Sequence, residues 1–408
     1  MTPGDKMRLS LIALLAGTAL AAAVPAQAQK TYGPGASDSE IKLGQTVAYS
    51  GPGSAYSMVG RMSVAYFKML NETKGGIHGR KINLLSVDDA YSPPKTVEVT
   101  RKLVESDQVL AMVNSMGTAA QTSVQKYLNA KQVPQLLFYA SSPNLHDSKA
   151  TPWTVPFSFA YDIEGSIYGK YLAESKPNAK IGVLYQNDDV GKSYIRGFRQ
   201  ALGAKQANIV KEVSQEMSDP TVDTQILQLQ ASGADTLVVF TSNKAQAQAI
   251  KKVAAIGWKP FYIVPYVSSS ITGVLEPAGL DNSVGLVTTY WFKTPSDPVW
   301  TNDKAMQDYL AFFKKYLPND NPGDTTSVYT YMGAQLVALA LERCGDNLTR
   351  ENLLKQIQGL KDVELGMLLP GMKVNFRQDD YYPIRQARLA RFDGKSWKPM
   401  TELISIER

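Results

Sequence analysis

The sequence predicts an α/β fold built as two similar halves, each a parallel-type sheet flanked by helices. Three observations carry this. From Ile41, short apolar runs alternate with stretches of helical spacing, as βαβ units require. The alternation restarts after residue 162. A chain of 408 residues is also too long for one hydrophobic core.

The N-terminus reads as a secretory signal. Met7-Arg8 precedes the apolar stretch LSLIALLAGTALAAAVP and the small-x-small triplet Ala26-Gln27-Ala28. Cleavage is expected after Ala28. A membrane anchor is the competing reading, but polar residues follow at once without stop-transfer charges. No cysteine follows the signal to take a lipid, so a freely soluble periplasmic protein is expected. Losing residues 1–28 removes Lys6, Arg8 and Asp5 and takes the net charge from +6 to +5. With no dense Lys/Arg run, nucleic acid is not an expected partner. Cys344 is the only cysteine, which excludes an internal disulfide and reads as a buried thiol.

The elements follow in order. Strands are predicted at 41–47, 81–87, 109–114 and 133–138, with helices at 59–73, 93–105 and 119–131 between them. Pro93-Pro94 suits a first helical turn, where a missing N–H costs nothing. Ala120, Val124, Tyr127 and Leu128 fall on one face of the third helix. The proline- and aromatic-rich stretch TPWTVPFSFAYD (151–162) is the predicted crossover to the second half. There, helices at 165–175, 190–203, 221–231 and 244–256 alternate with strands at 180–185, 207–213, 235–240, 261–265 and 284–291. Helices at 299–316, 327–343 and 349–358 and a strand at 385–392 finish the chain. Thr349 is the expected N-cap of the last helix.

No catalytic set stands out. His78 and His146 sit in loops without metal-type partners, and there is no Cys/His cluster. Neither G-x-S-x-G, G-x-x-x-x-G-K-[ST] nor G-x-G-x-x-G occurs. Asp88-Asp89 and Asp188-Asp189 each follow a strand, where capping or loop structure is the expected role. What remains is small polar groups at the carboxyl ends of strands, where open α/β sheets bind ligands. Thr118 follows VLAMVNSMG, Ala140-Ser141-Ser142 follows VPQLLFY, and Ser50-Gly51-Pro52 follows the first strand. Thr118 and Ser141 read equally well as plain N-caps or as anion-binding groups at helix N-termini.

Three segments resemble the type I periplasmic binding proteins of the leucine/isoleucine/valine-binding group. They are IKLGQTVAYSGPGSAYSMVGRMSVAYF, NETKGGIHGRKINLLSVDDAYSPPKTVEVTRKLVE and VPQLLFYASSPNL. The resemblance spans nearly the whole chain after the signal. It implies two lobes joined by three crossovers, a ligand held in the cleft, and delivery to the membrane subunits of an ABC importer. By that analogy lobe one holds 30–158 and 290–366, and lobe two 159–289 and 367–408. The binding positions that carry over are Tyr56, Gly117, Thr118 and the Tyr139-Ala140-Ser141 segment. From lobe two come Val190, where the family carries a tyrosine, and Ser242. Tyr161 and Trp291 are possible cleft lining.

One departure shapes the expected ligand. Amino-acid binders of this group place an acid after the proline of the strand that reads FYIVP here, and this chain has Tyr266. A buried ammonium without a countercharge is costly. The expected ligand is therefore a small carboxylate without an amine, aromatic or aryl in character. A register slip that brings in Glu276 is the alternative, with an ordinary amino acid as ligand. No cofactor, metal or enzymatic activity is expected, and the protein is expected to be a monomer. Two rival functions remain open: a sensing module for a receptor, and a hydrolase using Ser141 or Ser115 with His146.

Overall fold

The computed structural model describes residues 30–406; the proposed signal and its cleavage site lie outside them. Two sheets organise the chain. The first has five parallel strands in the order Lys81–Asp88, Glu40–Val47, Ala111–Val113, Gln135–Phe138, Thr154–Pro156. Ile41, Leu43, Ala111, Val113, Leu136 and Val155 fill its interior. Such near-continuous apolar strands are expected where helices cover both faces.

The second sheet has eight strands. Ile209–Gln215, Ile181–Gln186, Thr236–Phe240, Phe261–Ile263 and Val287–Tyr290 run parallel. Gln386–Phe392 then joins antiparallel, and Trp397–Pro399 and Ile404–Ser405 pair antiparallel with it. This edge departs from the parallel sheet expected.

The chain passes between the sheets three times among the described residues. It crosses after Pro156, returns after Tyr290, and crosses again before Gln386. The last two crossings pair with each other. Phe292 bridges Leu368, and the Lys293 N–H donates to the Met367 carbonyl at 2.7 Å. The late helix Thr325–Cys344 returns to the first half, against the helix Met58–Lys74 and the strand Gln135–Phe138.

Element starts follow from local chemistry. Asp188 accepts from the Val190 N–H at 2.9 Å and opens the helix Asp189–Leu202. Asp303, Asp324 and Thr349 cap the helices Lys304–Tyr316, Thr325–Cys344 and Arg350–Gln358. The Thr349 cap agrees with the expectation. Asp88 and Asp89 brace their own loop, with Asp88 accepting from the Tyr49, Ser50 and Ala90 N–H groups.

Several bounds differ from the expectation. The stretch 151–162 carries the strand Thr154–Pro156, and its helix begins already at Tyr161. The α-helix from Pro93 ends at Arg101 in a wider turn over Lys102–Ser106. The helix expected from 299 starts at Lys304, because Pro298–Trp300 forms a separate short turn capped by Asp297.

Candidate functional site

In each half, the chain leaving the carboxyl end of a parallel strand turns toward the other half. Nine such ends contribute to one shared cavity of about 60 Å³. Tyr56, Tyr91, Met116, Gly117, Thr118, Tyr139 and Ser158 come from the first sheet's connections. Gln186, Val190, Met217, Thr241, Ser242, Tyr266 and Val267 come from the second's. Tyr161 and Tyr329 complete the wall. That is several times the ~10–15 Å³ that one water needs.

Two features set its chemistry. Six tyrosines line it, and no Asp, Glu, Lys, Arg or His does. The rings brace one another. Tyr139 and Tyr329 lie 4.8 Å apart between centroids, and Tyr266 stands edge-on to Tyr329 at 6.3 Å. Burial pushes the Tyr56 hydroxyl up to about 12, and it pushes Tyr91, Tyr139, Tyr161, Tyr266 and Tyr329 up as well. All six therefore stay neutral hydroxyls near pH 7.

One corner of the wall is a helix start, at Thr118. Gly117 precedes the helix Thr118–Ala130 with φ of 103°, a left-handed conformation that favours glycine. A Cβ there would press on the Tyr91 ring. The helix has no side-chain cap, and its first N–H groups have no described acceptor. The Thr118 hydroxyl lies 3.4 Å from that of Tyr161, which comes from the second half. The opposite helix, Asp189–Leu202, is different: Asp188 already occupies its first N–H groups, so Val190 brings only an apolar side chain to the wall.

Of the sequence-derived candidates, Tyr56, Gly117, Thr118, Tyr139, Val190, Ser242, Tyr266 and Tyr161 meet at this cavity. Ala140, Ser141 and Trp291 do not line it. Ala140 is fully buried, and Ser141 is turned inward, pairing with the Ser158 hydroxyl, so that Ser158 takes the place at the wall. Trp291 packs behind Tyr266, edge-on at 5.5 Å. Glu276 is exposed and lies outside the cavity, so it brings no acid to it. His146 is buried rather than open to solvent, stacked on Tyr382 with Nδ1 2.7 Å from the Tyr381 carbonyl. Ser115 accepts from the Thr46 N–H at 3.0 Å. No group of metal-ligating side chains occurs among the described residues.

Sequence reasoning missed the tyrosines Tyr91 and Tyr329, and also Met116, Ser158, Gln186, Met217, Thr241 and Val267. Tyr91 was within reach, because DDAYS ends a strand just as the other site segments do. Tyr329 had no local signal, since it sits inside a helix that only the third dimension brings to the cleft.

Two facing α/β halves around an interior cavity at their strand ends define a solute-binding protein of the two-lobed class. The comparisons place the chain further. A family model described as periplasmic binding protein matches residues 40–396. The Leu/Ile/Val-binding protein homolog 7 of Brucella suis biovar 1 is 23% identical, over 96% of this chain and 95% of the relative. A fatty acid ABC transporter substrate-binding protein from Thermomonospora curvata superposes with a TM-score of 0.80 at 21% identity, covering 93% of this chain and 95% of that one. An R. palustris ABC transporter solute-binding protein in complex with benzoate gives 0.76 at 19% identity, covering 90% and 98%. The chain belongs to the type I periplasmic binding proteins, in the branched-chain amino acid family. That family is extracytoplasmic, binds small molecules and works with ABC transporter membrane components. Among the described residues, no helix is long and apolar enough to cross a membrane.

Proposed function

We propose that this protein captures a small aromatic carboxylate without an amine and delivers it to an ABC importer. The observation that carries the reading is the cavity wall: six tyrosines, free helix N–H groups at Thr118, and no acid to meet an ammonium. The carboxylate rests on the Thr118 corner, and the ring lies among tyrosine faces. The neighbour whose structure holds benzoate supports such a ligand in this fold. Val190 and Ser242 close from the second lobe, and Tyr139 holds the first.

Capture proceeds by hinge closure between lobe one (30–158 and 290–366) and lobe two (159–289 and 367–408). Contacts such as Ser142 Oγ to the Asp189 carbonyl, 3.3 Å, form across the seam. The protein works as a monomer after cleavage at Ala28, without covalent chemistry. The test is a thermal-shift screen of aryl carboxylates against amino acids, since a tight ligand raises the melting temperature by mass action. Stabilisation by leucine or valine alone would favour the amino-acid reading that the names of the curated relatives suggest.

A further inference from the structure

Directly behind the cavity wall lies a carboxyl group that the binding scheme has not used. Glu164, on the helix Tyr161–Ser175, is fully buried. Its Oε1 accepts from the Tyr168 hydroxyl at 2.6 Å, the Thr289 hydroxyl at 2.7 Å and the Tyr266 backbone N–H at 2.8 Å. Its Oε2 faces the Tyr194 hydroxyl at 2.6 Å. No described Lys, Arg or His forms an ion pair with it. Two of its neighbours, Tyr161 and Tyr266, line the cavity.

Counting hydrogens distinguishes its two charge states. The Tyr168 hydroxyl accepts from the Thr289 N–H at 2.9 Å and has one hydrogen to give. Three acceptors face it: Glu164 Oε1, the Val264 carbonyl at 3.0 Å and, farther off, the Thr289 hydroxyl oxygen at 3.4 Å, whose own hydrogen goes to Glu164. If Glu164 is ionised, Tyr168 serves the carboxylate and the Val264 carbonyl loses that donor. If Glu164 carries a proton on Oε1, it donates to Tyr168, Tyr168 donates to Val264, and all three are satisfied. An anion in the cavity tilts the balance the same way, because like charges at close range in a low dielectric favour protonation of one of them. No cation lines the cavity to offset the second charge.

We propose that, at a pH where the free protein holds Glu164 ionised, capture of an anionic ligand is coupled to uptake of one proton by Glu164, which makes Glu164 a specificity-determining residue acting through Tyr266 and Tyr161. This rests on the anionic ligand proposed above. Burial pushes Glu164 up from its ordinary value, and the hydrogen bonds from Tyr168, Tyr194, Thr289 and Tyr266 pull against it. The titratable groups facing it are Tyr161 and Tyr168 from its own helix, Tyr194 from the helix Asp189–Leu202, and Tyr266 from the turn after Phe261–Ile263. Burial pushes all four tyrosines up, so they stay neutral. The next acid outward, Asp188, acts on Tyr161. The strand Val287–Tyr290 presents Thr289, which does not titrate. Protonation favours binding, so affinity falls as pH rises through the Glu164 transition, by up to about tenfold per pH unit.

The test is titration calorimetry with benzoate and 4-hydroxybenzoate, above neutral pH, in two buffers of different ionisation enthalpy. Wild type and Glu164→Gln are compared; the amide keeps the shape and an acceptor without the charge. Wild type is expected to take up close to one proton per ligand bound. E164Q is expected to bind at least as tightly, without proton uptake and with affinity flat in pH. Binding by wild type with no proton uptake, or equal uptake by E164Q, overturns the proposal and leaves the ligand reading intact. If E164Q does not fold, the wild-type proton count decides alone. If neither acid binds wild type, the ligand reading fails first and the proposal with it.

Discussion

The Thr118 hydroxyl lies 3.4 Å from the Tyr161 hydroxyl, one from each half of the molecule. That separation is long for an O–H···O bond. It joins the helix N-terminus of the first half to the opening turn of the second half's first helix. Each hydroxyl can therefore turn to a ligand oxygen without giving up a strong bond.

Thr118→Ala is expected to weaken carboxylate binding by about ten- to hundredfold, the range for losing a hydrogen bond to a charged group. Tyr161→Phe should cost less, since it removes the hydroxyl and keeps the ring. Calorimetric titration of both variants checks the order. Equal affinity for Thr118→Ala and wild type would remove Thr118 from the site.

The helices Tyr161–Ser175 and Asp189–Leu202 touch through Gly165 and Gly197. A Cβ on Gly197 would run into the Asp162 carbonyl, and one on Gly165 into that of Tyr194. Backbone cannot step aside as a side-chain tip can. Gly197→Ala is expected to destabilise by about 1–3 kcal/mol, the usual range for overpacking. Urea unfolding of the variant measures it.

Burial raises Asp88 somewhat, but the Ser50 hydroxyl, the Ala90 and Ser50 N–H groups and Lys95 outweigh that and hold it well below the usual carboxylate range. A depressed carboxyl stabilises the fold above its unfolded value, about 3.9, and loses that contribution as pH falls through the folded value. Asp88→Asn should therefore be less stable than wild type at neutral pH. Solvent reaches the group, so the gap is on the order of 1 kcal/mol at most. It should begin to narrow below about pH 4 and keep narrowing as the pH falls further. Thermal melts across pH read this directly.

Cys344 ends its helix in the core, and burial pushes its thiol up to about 12. The thiolate is the reactive form. The native protein should react with a thiol reagent only slowly, and fully after denaturation. Fast native labelling would contradict the buried placement.

Much of the fold was legible because each element carried its own signal. IKLGQTV reads as an apolar strand, and Glu40–Val47 is one. Asp188 reads as a cap and caps its helix through two N–H groups. What stayed hidden depended on distance or direction. Apolar alternation in RQARLARF marks a strand but cannot say that it runs antiparallel beside Val287–Tyr290. Thr154–Pro156 was obscured by prolines at a sheet edge, where a missing N–H is tolerated. In the site, strand ends located the right segments, but the facing of single residues was less legible. Ser141 turns inward and Ser158 takes the wall. Tyr329, 190 residues from the Tyr139 it packs against, carried no local mark.

The most direct measurement compares matched pairs that differ only by the amine: 3-phenylpropanoate with phenylalanine, and 4-methylpentanoate with leucine, by titration calorimetry. A cavity without an acid leaves a buried ammonium unpaired, so each deaminated acid should bind at least about tenfold more tightly than its amino acid, with the aromatic acid the tighter of the two. Tighter binding of phenylalanine or leucine than of the matched acid would contradict the uncharged tyrosine cavity as the basis of selection.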